Sequence, residues 1–95
     1  MPIYDVAHIR EQGVDLVIVS LDQPFGLRSA ADQREITAAL QACAREAGLA
    51  GAVVPVWDAG GGRMEFLAPR NWHAFFTSIN LQFVAMNINR RLTCG

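Results

Sequence analysis

VDLVIVSL, residues 14–21, is rich in β-branched side chains and apolar on both of its alternating faces after Asp15. A strand of that kind is covered on both sides, which is how the strands of an α/β sheet read. Asp22-Gln23-Pro24-Phe25-Gly26 closes it with turn-forming residues. Downstream, Ser29 stands as N-cap of a helix over residues 30–47, with Asp32 at the third helical position and Gly48 as terminator. Ile36, Leu40, Cys43 and Ala47 make its apolar stripe, and Arg34, Gln41 and Arg45 its wet side. A second strand is expected at residues 52–57 (AVVPVW) and a third at 64–68 (MEFLA). The helical crossover makes the first two strands parallel, and the short loop Asp58-Ala59-Gly60-Gly61-Gly62-Arg63 makes the last two an antiparallel hairpin. Pro55 suits an edge strand or a bulge, whereas the hairpin puts its strand in the middle, so the strand order stays open.

Outward from this core, residues 1–13 read as a short helix capped by Asp5, with Val6 and Ile9 on one face and Gly13 ending it. A strand over residues 3–9 is the alternative, set aside because Val6 and Ile9 are out of phase for a period of two. At the other end, Pro69 stops the third strand and Asn71 caps a final helix over residues 72–92. Trp72, Phe75, Phe76, Ile79, Phe83 and Met86 form one apolar face of that helix. Leu81, Val84, Ala85, Ile88 and Leu92 form a second face, and no charge falls between His73 and Arg90. The expected fold is therefore α/β (α+β), a three-stranded mixed sheet packed with two long helices and a short N-terminal helix in the order α-β-α-β-β-α.

Ninety-five residues fit one domain, residues 1–95. Apolar residues make up 52% and charged residues 18%, against roughly 45–50% and 25% in an average domain, which excludes disorder. No apolar run exceeds four residues, so a membrane-spanning helix is not expected, and the N-terminus lacks the order of a signal peptide. A net charge of −1 argues against a nucleic-acid partner, whose phosphates call for a basic face. All eight basic residues are Arg and fourteen residues are Ala, a bias of GC-rich bacterial genomes. Cys43 and Cys94 are too few for a disulfide scaffold and have no metal-ligand spacing, so a reducing, cytoplasmic location is expected. Cys43 on the buried stripe is then an inert thiol, and Cys94 an exposed one.

The two-faced final helix points to function. An ordinary surface helix has one apolar stripe and a charged back. A second apolar face calls for a partner, so Phe75, Phe76, Leu81, Val84 and Ile88 are the expected interface, with a second copy or another protein. Asn80 and Asn87, seven residues apart, would pair across it. The alternative is a ligand- or metal-binding or enzymatic domain built on Asp22 and Asp58. Each follows a strand, and both emerge at one edge of the sheet if those strands are parallel. Gly60, Gly61, Gly62 and Arg63 start from the same edge and would approach an anion closely. Against this, Asp after a strand and Gly in a hairpin are ordinary turn chemistry, and no P-loop or Gly-x-Gly-x-x-Gly pattern implies a cofactor. His8 and His73 have no companion ligands, and Trp57 and Trp72 read as core. The third reading is a weak nucleic-acid-binding module. A small bacterial cytosolic protein that works by association is the expectation.

Overall fold

A computed structural model describes residues 2–94. The chain runs β1 (Ile3–Glu11), β2 (Val14–Leu21), α1 (Ala30–Glu46), β3 (Ala52–Asp58), β4 (Met64–Phe66), α2 (His73–Ser78), α3 (Leu81–Met86) and β5 (Arg90–Thr93). Tight 3-10 turns occupy Gln23–Leu27 and Arg70–Trp72. The sheet is mixed and has five strands in the order β4-β3-β2-β1-β5. The class is α+β, but the expected three-stranded sheet, the two long helices and the order α-β-α-β-β-α are all overturned.

The central part follows the sequence expectation. Ser29 caps α1, its hydroxyl accepting the Asp32 amide at 3.1 Å. β2 and β3 run parallel from Leu16↔Ala52 to Leu21↔Trp57, and β3 and β4 are antiparallel. Leu16, Val17, Ile18 and Val19 are all fully buried, as a strand with layers on both faces must be.

The N-terminal helix does not form, because β1 lies inside the sheet between β2 and β5. Val6 faces α1 and Ala7 faces the opposite layer, and both are fully buried. A strand covered on both sides has no apolar–polar alternation, so its missing period of two was not a sign of helix. Gln12 and Gly13, at φ 53° and 77°, make the two-residue turn that sets Glu11 opposite Val14. A glycine with positive φ serves a hairpin as readily as a helix end.

The long C-terminal helix is broken. Ile79 is extended (φ −110°, ψ 175°), and Asn80 caps α3 by accepting the Phe83 amide at 2.8 Å. The break rotates α3 relative to α2, so two stripes that point apart on one helix both turn to the sheet. Trp72, Phe76 and Val84 thereby pack on Ala7, Leu16, Ile18, Val54 and Val56. Asn80 and Asn87 stand at the two ends of α3, as its N-cap and C-cap.

α1 covers the other face, where Leu40 and Ala44 meet Val6, Val17, Val19, Val53 and Leu92. Cys43 and Cys94 form a disulfide there, which corrects the expectation of two free thiols. Cys94 reaches α1 because β5 pairs with β1, a strand pairing invisible in a chain read as helical at both ends.

Amide side chains finish both edges of the sheet. Gln41 of α1 donates to the Gly51 carbonyl at 3.0 Å and accepts the Val53 amide at 2.8 Å, along the part of β3 that β4 does not reach. Pro55 points its nitrogen to the same edge, where no donor is needed, which resolves its place in an inner strand. On the far edge, Asn89 accepts the His8 amide at 2.8 Å and donates to the His8 carbonyl at 2.9 Å beyond the end of β5. Unpaired strand edges invite association, and these caps block it. Gln41→Ala is expected to lower the unfolding free energy by about 1–2 kcal/mol through two lost hydrogen bonds. Urea unfolding reads this as a lower midpoint at constant slope; an unchanged midpoint would show that water replaces the cap without cost.

Candidate functional site

Because β2 and β3 are parallel, Asp22 and Asp58 do leave the sheet at one edge. Asp22 starts the 3-10 turn with its carbonyl, which accepts the Phe25 amide at 3.0 Å, and its side chain caps nothing. Asp58 is occupied. Its Oδ1 accepts the amides of Gly60 at 2.7 Å and Gly62 at 3.1 Å. The amides of Gly60 and Gly62, two of the loop donors expected at an anion, therefore face the chain's own carboxylate. The Ala59 amide donates to the Arg63 carbonyl at 2.8 Å to close the hairpin, and Arg63 pairs with Glu65 at 3.9 Å.

Around this edge lie three hollows. One, of about 320 Å³, is lined by Asp5, Ser20 and Leu21, by Asp58, and by Leu81, Val84, Ala85 and Ile88. It joins Asp58 of the expected ligand edge to three of the residues expected at an interface. A second, of about 420 Å³, holds Asp22 together with Tyr4, Asp5 and Ser20. The third, of about 290 Å³, puts Trp57 beside Arg63, Glu65 and Gln23. Trp57 is thus a pocket wall as well as core, stacked edge-on against Phe25 at 4.9 Å.

The residues expected at an interface separate. Phe76 and Val84 are 1% and 2% exposed and belong to the core, whereas Phe75, Leu81 and Ile88 are partly exposed. Asp5 and Ser20 were missed. Read as strands, β1 and β2 place them side by side, one step beyond the Val6↔Val19 pair, whereas a helix over residues 1–13 makes Asp5 only its cap. Asp5 also meets Arg91 of β5 at 3.9 Å.

Both histidines are tied to backbone, His8 Nε2 donating to the Ala50 carbonyl at 2.8 Å and His73 Nε2 to the Ala68 carbonyl at 2.9 Å. Among the described residues no three His, Cys, Asp or Glu side chains stand close enough to share a metal ion. No helix among them is long and apolar enough to cross a membrane. The hollow beside Asp58 has an acidic rim, Asp5 and Asp58, and an apolar floor of Leu81, Val84, Ala85 and Ile88. No protein family, curated protein or solved structure matches the chain.

Proposed function

We propose that this chain acts by association with a protein surface, first of all a second copy of itself, through the outer side of α2 and α3. The observation that carries this reading is the thinness of that layer. α2 and α3 have six residues each, too few to enclose the aromatic and aliphatic side chains they bring. Met86 is 77% exposed, and Phe75, Ile79, Phe83 and Ile88 pack on the core while staying partly exposed. No charged side chain interrupts them between His73 and Arg90. Clustered apolar surface of this sort is what an interface removes from water. A bacterial, cytoplasmic setting belongs to the same proposal and requires the Cys43–Cys94 bond to be a transient, redox-active one.

Met86→Arg is the variant to test, since Met86 contributes little to the core. Light scattering on a sizing column is expected to give twice the chain mass for the wild type at micromolar concentration and the single-chain mass for Met86→Arg, with unchanged circular dichroism. A wild type that stays monomeric up to millimolar concentration overturns self-association.

The second reading is a small-ligand site in the hollow between Asp5, Ser20, Asp58 and α3. Its acidic rim and apolar floor suit an aliphatic amine. A thermal-shift series of n-alkylamines checks this, because a ligand that binds the native state raises the midpoint by mass action. No shift with any chain length, or an equal shift for Asp5→Asn, would remove the reading.

A further inference from the structure

We infer that the Cys43–Cys94 bond is a redox latch on β5, whose opening lets the segment from Arg90 onward leave the sheet. β5 is four residues long and lies at the margin of the sheet. Of its side chains only Leu92 is buried, while Arg90, Arg91 and Thr93 are exposed. Its backbone is held by β1 alone, through the Tyr4↔Leu92 and Val6↔Arg90 pairs and the Cys94 amide on the Pro2 carbonyl at 3.1 Å. Two further ties run to the α1 side, the Leu92 side chain in the core with Leu40 and Ala44, and the disulfide from Cys94 to α1, one residue past the strand. A strand this short, with one buried side chain, is a unit of low local stability once the covalent tie is gone.

The release has a natural hinge. Asn89 clamps His8 through two side-chain bonds, and its own amide donates to the Val6 carbonyl at 3.0 Å. Fraying from the C-terminus therefore stops there, and only the segment from Arg90 onward leaves. β1 stays in place because β2 holds its other edge from Val6 to Glu11. Ile3, Tyr4 and Asp5, which pair with β5 and not with β2, lose their strand partner on release.

Cys43 and Cys94 are both only partly buried, at the margin of the core under α1. The chemistry is thiol–disulfide exchange with a dithiol. One thiolate of the dithiol attacks a sulfur of the Cys43–Cys94 bond, which breaks, and forms a mixed disulfide. The second thiolate displaces the protein sulfur, leaving the dithiol as a cyclic disulfide. Two electrons and two protons end on Cys43 and Cys94 as thiols. In a reducing compartment the disulfides that do form are usually transient and redox-sensing, as a latch requires.

Amide hydrogen exchange by NMR on the whole protein, with and without dithiothreitol, tests the latch. The amides of Tyr4, Leu92 and Cys94 are expected to lose protection by about tenfold or more on reduction, while those of Val17 and Ile18 keep theirs. Cys94→Ser in the absence of reductant is expected to reproduce the reduced pattern. Protection that stays unchanged at Tyr4 and Leu92 overturns the latch. So does an equal loss at Val17 and Ile18, which would make the bond a staple of the whole fold. Two titratable thiols that persist after treatment with oxidised glutathione overturn it as well.

Discussion

Phe76→Ala is expected to cost about 4 kcal/mol of folding free energy, and Phe75→Ala well under half as much. The two side chains are neighbours in sequence and differ in what they touch. Phe76 is 1% exposed and lies in the core of Ala7, Leu16, Ile18, Val54, Val56, Trp72 and Val84. Its ring sits 5.4 Å from Phe66 and 5.1 Å from Phe75, so truncation removes two aromatic contacts and leaves a hole under rigid strands. Phe75 keeps one side in water and packs edge-on against Trp72 and Phe76. For a chain of this length total stability is about 5–14 kcal/mol, so the Phe76 variant unfolds at much lower denaturant. Urea unfolding of the two variants checks it, and equal losses would contradict the burial difference.

That pair also shows where sequence reading reaches its limit. Helical spacing put Phe75 and Phe76 on one apolar face, which is true of α2, but spacing does not say how far a helix continues. The break rests on two extended residues, Ile79 and Asn80, and on the side-chain cap that Asn80 supplies. Asn is tolerated mid-helix and favoured at a cap, so its identity alone does not choose. The choice is made by the sheet, which buries more apolar surface when both stripes face it. β1 was hidden for a related reason. Val6 and Ala7 point to opposite layers and are both apolar, so the only period available was misleading. Where local signals agreed with the tertiary demand, as with Val14–Leu21, the Ser29 cap and the β3–β4 hairpin, the reading held.

The candidate site divides along the same line. That Asp22 and Asp58 share an edge follows from a helix between two strands, which is local information. That Asp58 spends Oδ1 on its own loop is geometry that composition does not carry. Asp5 and Cys94 became visible only once β1 and β5 were strands, because each acquires its neighbours through pairing with β1 or β2. Long-range pairing of this kind has no signature within a window of ten residues.

Gly51→Ala is expected to be the most damaging small substitution, at about 3 kcal/mol or more, with Gly48→Ala as its control at about 1–2 kcal/mol. Both glycines have positive φ, 115° at Gly51 and 78° at Gly48, so both alanines pay for backbone conformation. Only Gly51 also lacks room. A Cβ there would collide with the carbonyl group of Asp15 in β2, whereas one at Gly48 would meet nothing within 4 Å. The obstacle is backbone, so it cannot turn aside as a side chain would. Relief requires β3 to move away from β2 where Leu16 pairs with Ala52, in the parallel pair that both layers cover. The same shift withdraws the Gly51 carbonyl and the Val53 amide from Gln41, so the edge cap is lost with it. Gly51→Ala combined with Gln41→Ala is therefore expected to cost less than the sum of the two single losses, since the first already breaks what the second removes. A double-mutant cycle by urea unfolding measures that shortfall. Strict additivity would mean that β3 stays in register and the strain is absorbed in the loop before it.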